Sequence, residues 1–235
     1  MTSLVLIGCL LVASQVGEFP AEKITVDKTE REYRLVVPKS VDLDKPAPLV
    51  VAFHGMLIDS KDLMPRYSQL NELAAKHRFI IAYPNALDRR WGLSPAKAND
   101  DLALFDALVA KLSQNYRIDP RRVYVLGMSN GSYFAQLVAK ERSTTVAAVA
   151  AHSGPLGLQT LLGIRAERKF PVLIVHGDQD KLFAPKLFYE NRDKYRQEGH
   201  EVKHVEVPGL GHRWATQVDI NETIWKFFAE HPLPQ

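Results

Sequence analysis

Ser129 stands at the centre of "GMSNG", with Gly127 and Gly131 two residues to either side. This G-x-S-x-G spacing is the one that exposes a serine at a sharp strand-to-helix turn. A serine hydroxyl is almost fully protonated at neutral pH, so it attacks a carbonyl only when a base takes its proton. Of the eight histidines, His212 in "PGLGHRW" is the expected base, because Gly209 and Gly211 free its loop to aim the ring and Trp214 can shield it from water. His77, His200 and His231 read as helix-end or loop residues, and His204 alternates along a strand. His152 and His176 close strands and are expected to hydrogen-bond locally, and His54 precedes the glycine of "HGM".

The base needs a carboxylate to hold its tautomer and stabilise the imidazolium. "HGDQD" offers Asp178 and Asp180 on one loop, and spacing does not separate them; the unused one is expected to cap backbone amides. Two N–H donors for a developing oxyanion complete such a site. Asn130, the residue after the serine, supplies one, and Met56, after Gly55 in "HGM", is the expected second.

These residues must be brought together by the elements around them. "PLVVAFHG", "FIIAYP", "RVYVLG", "VAAVAAHSG" and "PVLIVHG" are near-continuous apolar runs, as expected of parallel strands covered on both faces; "EYRLVV" and "VKHVEVPG" are further strand candidates. Helical spacing alternates with them in "YSQLNELAAKH", "NDDLALFDALVAKLSQNY", "SYFAQLVAKE", "PKLFYENRDKYRQEG" and "QVDINETIWKFFAEH". The alternation predicts a mostly parallel twisted sheet with helices on both faces, whose ligand site gathers at the carboxyl ends of the strands. Ser129, the Asp178/Asp180 pair and His212 each follow a strand candidate, and the chain order Ser, Asp, His is that of the α/β-hydrolase fold. The span from Ser153 to Phe170 is too short for a large lid.

The 235 residues, 46% hydrophobic and 24% charged, suit one globular domain, expected over residues 18–235. The net charge of +3 is scattered along the chain, which argues against a nucleic-acid partner. Residues 1–17, "MTSLVLIGCLLVASQVG", read as a signal peptide and so predict a secreted or periplasmic protein. "LIGC" also resembles the lipoprotein box, in which case a lipidated Cys9 would tether the chain to a membrane. Cys9 is the only cysteine, so no internal disulfide forms. No metal or cofactor is expected.

In "LVVAFHG", "LAAKHRFIIAYPNA", "PVLIVHGDQD", "GLGHRW" and the long block from Asn99 to Ala139, the chain resembles the polyhydroxybutyrate depolymerase and feruloyl esterase family of secreted α/β-hydrolases. The resemblance runs from about Tyr33 to Trp214. It implies a serine esterase acting through an acyl-enzyme on feruloyl or acetyl esters of plant polysaccharide, or on hydroxyalkanoate esters. The family's H-G-x-x-D pattern falls on His176, Gly177 and Asp180, which selects Asp180 as the acid. Ser132, Tyr133, Ala215 and Thr216 depart from the residues usual at those places, which bears on substrate preference. Trp91, Tyr133 and Trp214 are the expected lining of an aromatic acyl pocket. Two other readings share the fold: a serine peptidase of the prolyl oligopeptidase type, which usually carries a propeller domain for which this chain has no room, and a catalytically silent binding protein.

Overall fold

The computed structural model describes residues 15–57, 60–92, 95–157 and 163–235; Cys9 and most of the expected leader lie outside them. Eight strands form one sheet: β1 (Gly17–Val26), β2 (Thr29–Val37), β3 (Ala47–Phe53), β4 (Ile80–Pro84), β5 (Ile118–Met128), β6 (Ala148–His152), β7 (Val172–Gly177) and β8 (Val202–Val207). Their order across the sheet is β1-β2-β4-β3-β5-β6-β7-β8. Strand β2 runs antiparallel to both its neighbours, and every pairing from β4 to β8 is parallel. This is the α/β-hydrolase fold.

The apolar runs are continuous because two cores press on the sheet. On one face Val51, Phe53, Val125 and Ile174 pack with residues of α3 (Pro95–Asn115), α4 (Asn130–Glu141) and α5 (Pro185–Gln197). On the other Val50, Ala52, Leu126 and Val175 pack with α1 (Met64–Ser68), α2 (Leu70–His77) and α6 (Ile220–Glu230). Side chains alternate between faces along a strand, so both parities must be apolar.

Two elements differ from the sequence reading. Strand β1 was not expected, since "GEFPAEKITV" carries charges and Pro20; it is a half-exposed edge strand whose register slips between Phe19 and Glu22. "YSQLNELAAKH" reads as one helix, but Gln69 adopts φ 56° and splits it into α1 and α2. Among the described residues no helix is long and apolar enough to cross a membrane.

Parallel pairing carries the carboxyl ends of β3, β5, β6 and β7 to one edge: Phe53 lies beside Gly127, Gly127 beside Ala151, and His152 beside Val175. The loops after β3, β5 and β7 carry Met56, Ser129 and Asp180, and the loop after β8, which pairs with β7, carries His212.

Candidate active site

Ser129 sits between β5 and α4 with φ 55° and ψ −118°, a conformation that L-residues rarely adopt. Its neighbours must be small. A Cβ on Gly127 would meet the Gly131 carbonyl oxygen at 2.1 Å, and a Cβ on Gly131 would meet that of Phe53 at 2.1 Å. The turn is thereby wedged between its own helix and the end of β3, and the Ser129 N–H donates to the His152 carbonyl at 2.9 Å.

Ser129 Oγ lies 2.9 Å from His212 Nε2, and His212 Nδ1 lies 2.8 Å from Asp180 Oδ2. The second oxygen, Asp180 Oδ1, accepts the Leu182 and Phe183 N–H groups at 2.8 and 2.9 Å. The Asp180 side chain is fully buried, whereas that of His212 is 23% exposed. Asp178 is turned away from the imidazole: its Oδ1 accepts the Gly209 N–H at 2.7 Å, fixing a turn in which Gly209 has φ 69°. The three side chains form one hydrogen-bonded line, with the tautomer set so that Nδ1–H donates to the carboxylate and Nε2 faces the hydroxyl.

Two further histidines prove structural, as their places at strand ends suggest, though their reach exceeds the local bonds expected. His152 is buried, and its Nε2 accepts the Ala215 N–H at 3.1 Å while Nδ1 lies 3.0 Å from Ser153 Oγ. Burial, with the neighbouring His212 ring adding to it, pushes its pKa down to about 3, so the ring is neutral. His176 Nε2 meets His204 Nε2 at 2.8 Å, and burial lowers both, His204 to about 4.

The expected oxyanion donors lie on two elements that flank Ser129, Met56 on the loop after β3 and Asn130 at the start of α4. The Asn130 N–H is at the first helical position of α4, where no intrahelical acceptor exists. Met56 lines the mouth of a cavity of about 600 Å³ together with Leu57, Leu63, Tyr67, Met128, Leu182, His212 and Trp214. Ser129 opens into this cavity, and its walls are overwhelmingly apolar. Leu57, Leu63 and Leu182 escaped the sequence reading; their signal is large, exposed apolar side chains in loops at the carboxyl edge of the sheet.

The three aromatic residues expected in an acyl pocket part company. Trp214 does line the cavity, with its indole N–H donating to Asn221 Oδ1 at 3.1 Å. Tyr133 stands outside the lining, its ring edge-on to Phe183, which in turn meets the His212 ring; burial and the charge of Asp180 raise its hydroxyl to about 12. Trp91 is a correction. It is fully buried, stacked on Phe134 at 4.9 Å and edge-on to Phe53 at 5.0 Å, because its indole N–H finds a partner inside, the His54 carbonyl at 2.8 Å.

Comparison with known proteins bears on the family and the fold. The family model described as esterase PHB depolymerase matches residues 31–160, more than half of the chain. NocK of Nocardia uniformis subsp. tsuyamanensis, provisionally named an esterase, is 31% identical over 169 residues, 69% of this chain and 48% of its own length. The bifunctional acetylxylan esterase/xylanase XynS20E of Neocallimastix patriciarum is 26% identical over 221 residues, 78% of this chain and 31% of its own length. The chain therefore spans half or less of these relatives. A solved ferulic acid esterase of Anaeromyces mucronatus superposes with a TM-score of 0.71 at 20% identity, covering 92% of each chain, which is a likeness of fold.

Proposed function

The chain belongs to the esterase PHB depolymerase family, and from that membership we propose that it hydrolyses carboxylic esters through an acyl-enzyme on Ser129. The observation that carries this reading is the line Ser129, His212, Asp180, at 2.9 and 2.8 Å, opening into an apolar cavity. His212 Nε2 takes the hydroxyl proton as Ser129 Oγ attacks the ester carbonyl. The oxyanion is held by the Asn130 and Met56 N–H groups, since fixed backbone donors stabilise the developing charge without reorganising. Asp180 stabilises the imidazolium, which then protonates the leaving alkoxide. Water, deprotonated by the same histidine, releases the acid and restores Ser129.

The apolar walls suit an acyl group with little polarity. Feruloyl and acetyl esters of plant polysaccharide are the proposed substrates, with hydroxyalkanoate esters as the second class; the names of the acetylxylan and ferulic acid esterases among the similar proteins support the first. Turnover of p-nitrophenyl acetate tests the enzyme reading, and its absence would overturn it in favour of a silent binding protein. A panel of methyl ferulate, acetylated xylan, hydroxybutyrate oligomers and peptide amides ranks the substrates, and preferential cleavage of the amides would make it a peptidase. The apolar run within residues 1–17 supports export; an intact Met1 in a cytoplasmic fraction, read by mass spectrometry, would refute it.

A further inference from the structure

The two oxyanion donors belong to different elements, Met56 to the loop after β3 and Asn130 to the start of α4. Their separation is as consequential as their presence, since donors must lie about 2.7–3.1 Å from the oxyanion and a misplacement of about 1 Å forfeits much of the effect. The close approach of Gly131 to the Phe53 carbonyl sets how near the two elements come, but it leaves the direction of the loop at Met56 free.

A third segment supplies what is missing. Trp91 donates its backbone N–H to Asn130 Oδ1 at 2.8 Å and its indole N–H to the His54 carbonyl at 2.8 Å. Two residues earlier, the Arg89 carbonyl accepts the Leu57 N–H at 3.0 Å. Met56 is thus bracketed, with His54 before it and Leu57 after it both tied to Arg89–Trp91, and the same segment is tied to Asn130. Asp88, Arg89 and Leu57 all adopt positive φ, at 52°, 54° and 70°, the kind of backbone strain that persists where surrounding contacts over-determine it. The far end is anchored as well: the Gly92 N–H donates to Asp101 Oδ2 at 2.8 Å, and Asp101 Oδ1 accepts from Arg31 Nη2 at 2.7 Å inside the protein. The His54 ring adds a further tie to the stretch before the segment, since its Nε2 accepts the Ala86 N–H at 3.1 Å.

We propose that Arg89–Trp91 is a brace that fixes the spacing of the two oxyanion donors, and that Trp91 is its positioning residue. The inference rests on the acyl-enzyme reading and deepens it. Trp91 is not part of the lining of the cavity onto which Ser129 opens; it acts through His54 and Asn130. Were the indole only core filling, phenylalanine would cost stability through the volume it leaves empty but would leave kcat unchanged.

Trp91→Phe keeps an aromatic face and removes the indole donor. With p-nitrophenyl acetate the expected result is a kcat lower by about tenfold or more, a KM within about twofold of wild type and an unshifted pH–rate profile, since His212 and Asp180 are untouched. An alkyl trifluoromethyl ketone, which adds to the serine and leaves a negative oxygen in the hole, should bind more weakly by a similar factor. A variant folded by circular dichroism with wild-type kcat overturns the brace, as does a loss confined to KM. If the phenylalanine variant fails to fold, the benzothienyl isostere of tryptophan, which keeps the shape without the N–H, carries the same expected and overturning results. A wild-type protein without esterase activity, or a Ser129→Ala variant that keeps it, overturns the parent reading and the brace together, whereas a fast Trp91→Phe variant overturns the brace alone.

Discussion

The imidazole of His152 lies flat against the indole of Trp214, with ring centroids 4.5 Å apart and planes 13° apart. The same imidazole accepts the Ala215 N–H, and the His152 carbonyl accepts the Ser129 N–H. One buried residue therefore joins the turn that carries Ser129 to the loop that carries His212. Protonating the ring would place an N–H against the Ala215 N–H and a charge in the core.

That arrangement sets a pH dependence of stability. His152 has a folded pKa of about 3, far below the 6.5 of an unfolded histidine, so below pH 6.5 the unfolded chain binds a proton that the fold refuses. Its contribution is complete above pH 6.5 and is lost as pH falls toward 3, at up to about 1.4 kcal/mol per pH unit. The lowered pKa values of His176 and His204 act in the same direction. Urea unfolding between pH 7 and pH 4 should show this acid limb, and His152→Gln, which retains an acceptor for Ala215, should flatten it. An equally steep limb in the variant would mean that His152 is not its source.

Ser129→Ala should lower turnover by at least about 10⁴ with the fold intact, because it removes only the attacking atom. Organophosphate labelling followed by peptide mapping should mark Ser129. Label on Ser132, whose hydroxyl is buried and donates to the Gly154 carbonyl at 2.9 Å, would refute the assignment.

The two aspartates of one loop should separate by what they change. Asp180→Asn should cost about 10⁴ in rate near neutral pH, since an amide favours the wrong tautomer and cannot stabilise the imidazolium. Asp178→Asn should leave the rate nearly normal and lower stability by about 1 kcal/mol or less, as for loss of a backbone cap. Rate and melting temperature must be read on both variants, and a dead Asp178→Asn with an active Asp180→Asn would reverse the roles.

Gly131→Ala should be among the most damaging single-methyl additions in the protein. The new Cβ would need the Phe53 carbonyl to move from 2.1 Å, and the obstacle is backbone in the middle of the sheet's edge. We expect a loss of about 3 kcal/mol or an insoluble product, measured by denaturant unfolding. A soluble variant of wild-type stability would show that the turn has room it does not display.

The residues legible in the sequence are those whose roles follow from local pattern. The Ser129 turn announces itself through two glycines at fixed spacing, and the parallel strands through runs that are apolar on both parities. What escaped depends on direction. Asp178 and Asp180 stand two apart on an irregular loop, where no periodicity tells which carboxylate faces His212, and a family pattern had to choose. Trp91 lies in a segment without regular structure, so its burial depends on a carbonyl 37 residues away that no local window contains. Strand β1 was hidden because an edge strand with one wet face and a slipped register does not alternate cleanly.

The backbone of Ser129 places chemistry and durability in opposition. Its φ of 55° and ψ of −118° suit glycine, and a side chain held there stores about 1–3 kcal/mol. Ser129→Gly should therefore melt higher than Ser129→Ala, with neither expected to turn over ester. A descendant no longer selected for turnover would gain robustness by exchanging this serine for glycine, so on the proposed mechanism the identity of this one residue records whether a lineage still uses the reaction.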